Sequence, residues 1–593
     1  MMAACEKEMA HLAHQGKIYD EMQLLVFEED YIVKPSDGHP LSISRLDGSL
    51  KIISEADIGS NPTETTLIYG VVGTIRLLAG TYILVVTSRQ QMGMHRGFSV
   101  YRITSMKFLS CNKVLKLSSL AEKRDEAYFV SLLKTVEKTP GLYYSYETDL
   151  TLNVQRIYNL EGLKKRSPLW KQADPRYVWN RSLIEELIEA KLEPYILPVI
   201  QGSFQTIQVK LKEKLVTVTL ISRRCTRRIG TRMWRRGANL EGHVANFIET
   251  EQLLEVEGFT GSYLQVRGSI PVLWEQIVDL TYKPKLNIIN TDKTPKVVQR
   301  HFYDLVQRYG SIVAIDLVDQ KGSEGSLSLV YADAMQHLKH IRYVPFDFHH
   351  ICGHLHFERL QLLYEQIAEE LQKQGCFLQN SDGKSMEEQT GILRVNCIDC
   401  LDRTNVTQSL LGQKVLDYQL NKIGLFTSSE CISQHSDFHQ QFKILWANHG
   451  DEISLQYSGT HALKGDFVRY GRQTVSGLIK DGFSALARYY LNNFHDGIRQ
   501  DAMDLVAGYY TVSRGIPSPF QLNGFELFAY LPIASALIVG ALTITTFSLQ
   551  QAADDTQNFL FSVVWGGLTA GVMAVVKANG RQFCSRPRLC KLF

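Results

Sequence analysis

Short β-like runs mark the first part of the chain. Thr81-Tyr82-Ile83-Leu84-Val85-Val86-Thr87 is one, and residues 1 to 185 mix such runs with turn residues and few long amphipathic stretches, which predicts a β-rich N-terminal domain there. Strict alternation follows at Leu215-Val216-Thr217-Val218-Thr219-Leu220-Ile221, a further strand. Between Glu358 and Lys373 the period changes: Leu360, Leu363, Tyr364, Ile367 and Leu371 line one helical face, with Gly375 placed to cap it. An α+β or α/β domain is expected over 186–510.

The pattern changes again near the C-terminus. No charged side chain occurs from Leu527 to Leu549, nor from Phe559 to Val576. At ~1.5 Å per residue the shorter run reaches about 27 Å as a helix, close to a bilayer span. The expected order is a juxtamembrane linker at 511–526, transmembrane helices at 527–549 and 559–576, a lumenal loop at 550–558 and a cytosolic tail at 577–593. The loop carries Asp554 and Asp555 and no base, whereas the tail carries Lys577, Arg581, Arg586, Arg588 and Lys591 and no acid. That asymmetry places the tail, and with it the rest of the chain, in the cytosol. Gly567-x-x-x-Gly571 offers the helices a close approach. Cys584 and Cys590, beside the membrane exit, are palmitoylation candidates, with plain thiols the alternative.

Charge and composition add little. A formal net charge of +3 on 593 residues excludes strong global attraction to nucleic acid or lipid. Met1-Met2-Ala3-Ala4-Cys5-Glu6-Lys7-Glu8 lacks the features of a signal peptide, and ten irregularly spaced cysteines fit the cytosol. The informative charge is local. Arg223, Arg224, Arg227, Arg228, Arg232, Arg235 and Arg236 form a dense basic cluster, expected as a solvated positive loop or as a contact for an anionic headgroup.

The chemistry concentrates in Arg394-Val395-Asn396-Cys397-Ile398-Asp399-Cys400-Leu401-Asp402-Arg403-Thr404-Asn405. A β-like run, Thr390–Val395, precedes it and a helix start, Val406–Gly412, follows, so the motif is a strand-to-helix turn with C-x5-R spacing. In such a turn the backbone N–H groups from Ile398 to Arg403, through Cys400 and Leu401, can converge on one anion, helped by the positive end of the following helix. Thr404 and Asn405 complete the expected binding set. A helix N-terminus and a guanidinium lower a thiol's pKa, which makes Cys397 a nucleophile. Arg403 can grip two phosphate oxygens with its planar fork. The leaving oxygen needs a proton, and either Asp399 or Asp402 can supply it; Asp402, next to Arg403, is preferred. Cys397-x-x-Cys400 is half a zinc or redox motif, but no second C-x-x-C exists, so no metal or cofactor is expected. Phe346-Asp347-Phe348-His349-His350, with Asp347 and His349, is a second candidate for the catalytic neighbourhood.

The string R-V-N-C-I-D-C-L-D-R-T-N resembles the signature of the Sac-domain phosphoinositide phosphatases. Further similar segments are Gly70–Ile75, Asp174–Asn180, Ala245–Gln252, Arg267–Trp274, Lys321–Glu324 and Phe346–His349, in the family's order. The likeness is strongest to its integral-membrane members of the endoplasmic reticulum and Golgi. One departure is His461, ahead of Lys464 and Asp466, where the family usually has glycine. The resemblance implies hydrolysis of phosphatidylinositol 4-phosphate, with phosphatidylinositol 3-phosphate the next candidate, in the cytosolic leaflet. Rival readings are a protein phosphatase using the same loop and a non-catalytic phosphoinositide-binding tether.

Overall fold

The computed structural model describes residues 18–111, 119–160, 167–289, 292–353, 356–515, 518–520, 531–551 and 556–590. The expectations for Met1–Glu8, for Asp554 and Asp555 and for Lys591 lie outside them, as does half of the linker at 511–526. Five short strands, β1 (Met22–Val26), β2 (Asp30–Pro35), β3 (Leu41–Ser44), β4 (Leu50–Ile52) and β5 (Glu64–Ile68), form an antiparallel sheet in the order β4-β3-β2-β1-β5. A second, larger sheet begins with β6 (Val71–Arg76), β7 (Thr81–His95) and β8 (Phe98–Cys111). After helix α1 (Leu120–Val136) it continues with β9 (Leu142–Tyr144), β10 (Ile200–Leu211), β11 (Lys214–Arg224), β12 (Ile248–Val256) and β13 (Phe259–Arg267). The pairing of Ile200 with Tyr143 joins β9 to β10. One sheet therefore runs across position 185, where the sequence suggested a domain boundary.

The far end of this sheet changes character. Helix α2 (Thr294–Tyr309) leads into β14 (Ser311–Asp316), α3 (Gly322–Gln336), β15 (Arg342–Pro345), α4 (Leu360–Gln374) and β16 (Gly391–Asn396). Here the order is β15-β14-β16-β13 and every pairing is parallel. Parallel strands are covered on both faces, and their sequences show it. Ile312, Ala314 and Ile392 pack on one face with Phe302, Leu305 and Tyr331, while Val313, Ile315, Leu393 and Val395 pack on the other with Leu363, Ile367 and Leu411. Burying each such aliphatic side chain contributes roughly 1.5–3 kcal/mol. The helix expected from Glu358 to Lys373 is α4, with Leu360, Leu363, Ile367 and Leu371 buried and Gly375 at φ +63 donating its N–H to the Leu371 carbonyl.

Helices close the domain: α5 (Asp402–Lys422), α6 (Ser436–Ser458), α7 (Val475–Phe494) and α8 (Asp496–Val506). Two more, α9 (Leu531–Gln551) and α10 (Thr556–Ala578), stand where the uncharged runs lie and pack against each other. Among the described residues no helix is long and apolar enough to cross a membrane. Gly567 and Gly571 face open space, so the small-residue spacing does not form this contact; the nearest approach of a glycine to the partner helix is Gly566 toward Thr545.

The arginine cluster is not a solvated loop. Arg223, Arg224, Arg228, Arg235 and Arg236 are buried. Arg223 pairs with Glu249 and Glu251, Arg235 with Asp504 and Arg227 with Asp304. Arg224 and Arg228 donate instead to the Gly230 and Arg236 carbonyls, since a buried guanidinium needs ionic or hydrogen-bonding partners. The acids lie some 25 to 270 positions away along the chain, which is why sequence proximity made the arginines look unneutralised.

Candidate active site

Because β13, β14 and β16 are parallel, their carboxyl ends reach one edge together: Arg267 lies beside Val395, and Asp316 beside Asn396. From β14 the chain moves outward to β15, and β16 returns on the other side, so the crevice between β14 and β16 is a topological switch point. Cys397 follows β16 directly and opens the loop into α5. Below it Asn396 donates to Asp316 and Arg394 donates to Asn396 and to the Ser269 carbonyl, which fixes the strand end.

Cys400 adopts a left-handed backbone at φ +53, costing roughly 1 kcal/mol for a residue with a side chain. That turn brings its N–H back to Cys397 Sγ at 3.0 Å, and its own thiol donates to the Gly268 carbonyl at 3.0 Å. Thr404 Oγ1, in the first turn of α5, donates to Cys397 Sγ at 3.4 Å. Burial raises the pKa of Cys397, but the hydrogen bond from Cys400, the Arg403 charge and the Thr404 hydroxyl outweigh it and bring the thiol down to about 5. Cys400, buried beside that sulfur, is held well above the usual thiol range. The two cysteines of the C-x-x-C thus differ: one is poised to ionise and the other stays a thiol.

The two candidate acids separate as clearly. Asp399 receives Arg236 at 2.6 Å and Arg232 at 2.7 Å. Burial alone would raise its pKa, but these two arginines hold the carboxyl far below its ordinary range, so it has no proton to give. Asp402 accepts a hydrogen bond from the Leu463 N–H at 2.9 Å. Its burial, aided by the negative charges of Cys397 and Asp399 and opposed by Arg488, pushes it up to about 6.

Arg403 reaches Asp319 at 3.2 Å, Glu324 at 3.1 Å and the Leu317 carbonyl at 3.2 Å. His349 Nδ1 lies 2.7 Å from the same Asp319, and Asp347 caps the short helix Phe348–Cys352, so the Phe346–His350 segment does reach the site. Ile398 gives its carbonyl to Arg236, Leu401 packs on Ile248, Ile453 and Tyr457, and the Asn405 amide meets Arg267, His449 and Trp446. Among the described residues no group of three or more His, Cys, Asp or Glu side chains could hold a metal ion.

Sequence reading missed Asp319, Glu324, Arg232, Arg236 and Arg488 as neighbours of the loop. Signals existed for Glu324, in the Lys321–Glu324 segment, and for Arg232 and Arg236, in the basic cluster with its candidate headgroup contact.

The chain matches the SacI homology domain over residues 69–353. It is 57% identical to phosphoinositide phosphatase SAC8 of Arabidopsis thaliana, covering 99% of this chain and 100% of that protein. It is 36% identical to phosphatidylinositol-3-phosphatase SAC1 of Drosophila melanogaster, with 97% and 98% covered, and 32% identical to phosphatidylinositol-3-phosphatase SAC1 of Saccharomyces cerevisiae, with 89% and 86% covered. Likeness of that depth and extent identifies the chain as a member of the SacI homology domain family of phosphoinositide phosphatases.

Proposed function

We propose that this phosphatase removes the phosphate of phosphatidylinositol 4-phosphate, with phosphatidylinositol 3-phosphate the next substrate, through a cysteinyl-phosphate intermediate. The observation that carries the mechanism is the environment of Cys397 Sγ: it receives the Cys400 N–H and the Thr404 hydroxyl, and the Cys400 side chain, the Arg403 charge and the Thr404 hydroxyl bring the thiol down to about 5. Sγ attacks phosphorus, the bond from phosphorus to the inositol oxygen breaks, and the Asp402 proton passes to that oxygen. Water then attacks the phosphorus, Asp402 takes its proton, the S–P bond breaks and inorganic phosphate leaves. Arg403 transfers its fork from Asp319 and Glu324 to the equatorial phosphate oxygens. Asp399 positions the loop by anchoring it to Arg232 and Arg236. Domain limits of 1–185 and 186–510 are retained as a working division.

The enzyme is proposed to sit in the endoplasmic reticulum membrane, with the Golgi as the alternative, anchored by α9 and α10 as a hairpin. The uncharged runs Leu527–Leu549 and Phe559–Val576 extend past the stretches whose side chains are described. Val539, Leu542, Phe547, Val564 and Leu568 are exposed, which suits lipid better than water. Past α10, Ser585 donates to the Asn493 carbonyl, and Arg588 and Leu589 donate to Asp501, so the tail meets the catalytic domain on the side from which the chain entered. Cys584 is buried there and serves as packing, which argues against its palmitoylation.

The test is phosphate release by the purified full chain from a panel of phosphoinositide isomers and phosphopeptides, with and without chelator. Wild type should favour the 4-phosphate, and Cys397→Ser should retain under about a tenth of the activity, because a serine hydroxyl cannot form the low-pKa nucleophile. Turnover of phosphopeptides in preference to lipids, or a Cys397→Ser enzyme that remains active, would overturn the proposal.

A further inference from the structure

Helix α7 is amphipathic in the reverse sense for a helix packed on a domain. Its buried side chains are polar, Arg488, Asn492 and Asn493, whereas Val475, Leu478, Ile479, Phe483, Leu486 and Tyr490 are between 53% and 78% exposed. These six fall at the i, i+3, i+4 spacing that makes a single stripe. Arg488 ties the inward side to the domain, donating to Thr460, Ser454 and the His461 carbonyl. The helix is therefore held to the domain by polar contacts while its apolar stripe points outward.

Three observations say what covers the stripe. The first is location. The segment leaving α10 touches the C-terminal end of α7: Cys584 Sγ lies 3.4 Å from Asn493 Oδ1, and Ser585 donates to the Asn493 carbonyl. Gly580 sits so near the Asp279 carbonyl that a Cβ would not fit, and Tyr489 of α7 donates to the adjoining Leu280 carbonyl. The end of the proposed bilayer anchor and the end of α7 thus share one corner of the domain.

The second is charge. Arg472 and Lys480 on α7's side, and Lys283 and Lys285 in the neighbouring loop, are exposed, while the helix's single carboxylate, Asp481, turns inward to the Lys464 N–H. A helix with an apolar stripe bordered by bases lies in the interface of an anionic bilayer. The third is the site itself. Asp481 holds Lys464, the next residue after Leu463, whose N–H binds Asp402, and the Arg488 charge acts on Asp402. One side of α7 faces outward and the other braces the acid of the catalytic loop.

We propose that α7 lies along the headgroup region of the cytosolic leaflet, with its apolar stripe at the acyl boundary, and so holds the Cys397 loop against the phosphorylated headgroup of a lipid in the same bilayer. The inference rests on the hydrolase reading above for its substrate and on the proposed anchoring by α9 and α10 for its place at the bilayer.

The full chain, reconstituted in phosphatidylcholine–phosphatidylserine vesicles, is assayed on phosphatidylinositol 4-phosphate in the bilayer and on a water-soluble short-chain analogue. Leu478→Ser/Phe483→Ser/Leu486→Ser should lose about tenfold in kcat/KM on the bilayer substrate and stay within about twofold of wild type on the soluble one. Phe483→Trp, in vesicles of brominated lipid, should show tryptophan quenching in excess of wild type. Unchanged bilayer activity, equal loss on both substrates, or no added quenching would each overturn the proposal. So would self-association that the triple variant abolishes while quenching is absent, which assigns the stripe to a second copy of the chain. A wild type that hydrolyses neither substrate would overturn the hydrolase reading instead, and quenching would still decide the docking.

Discussion

Cys397 and Asp402 are two buried acids driven toward each other in pKa, one down to about 5 and the other up to about 6. The proposed mechanism needs the first ionised and the second protonated. The kcat/KM of the free enzyme should therefore follow a narrow bell between those values, its limbs belonging jointly to the interacting pair. Asp402→Asn should remove the alkaline limb and lower kcat about a hundredfold or more, as loss of a general acid does. Stability should move the other way. A carboxyl whose pKa rises from 3.8 to about 6 on folding loses stability as pH rises through 6, by up to ~3 kcal/mol. Asp402→Asn should thus raise Tm at pH 8 and leave it unchanged at pH 4, a pattern that thermal melts would check. The C-x5-R spacing made Cys397 and Arg403 legible, because their chemistry is local to seven residues. The choice between Asp399 and Asp402 was not, since it depends on Arg232 and Arg236 more than 160 positions earlier and on Leu463 some 60 later.

Secondary structure around the site was legible wherever burial follows period. The strand before Cys397 and the helix from Leu360 stand where apolar spacing put them, and α5 starts four residues earlier than expected, so that Asp402 and Arg403 lie in its first turn. What the pattern could not give is which helices touch. Gly450 in α6 lies against Asn405 of α5, where an added Cβ would stand 2.6 Å from the amide nitrogen, and Gly412 of α5 lies similarly against Trp446. The close crossing keeps Asn405 on Arg267, a buried cation beneath the loop. Gly450→Ala should displace that amide, cost about 1–3 kcal/mol in denaturant unfolding as overpacking does, and lower activity without changing the chelator response. A substitution that leaves both unchanged would show that the crossing tolerates a methyl group. The apolar stripe of α7, exposed rather than buried, reverses the ordinary rule that such a stripe turns to the core.

At the scale of the whole molecule, the large sheet ties the N-terminal strands to the catalytic edge, and the segment after α10 returns to the domain that the chain left after α8. Leu589 reaches the core cluster containing Leu132, Leu505 and Phe520, and Asp501 receives the N–H groups of Arg588 and Leu589. A catalytic domain fixed to its anchor by one connection can pivot; one fixed by two, at separate points, cannot swivel freely. With α9 and α10 as the proposed anchor, the second mounting would confine the active site to a small volume above one bilayer, and so would raise the effective concentration of lipids there at the expense of those in a facing membrane. Truncation after Lys577 should release that constraint. In a mixture of enzyme-bearing vesicles and separate substrate vesicles, the shortened protein should gain activity across the gap and lose it on its own surface, so that the return segment sets which of two apposed membranes is depleted of phosphoinositide.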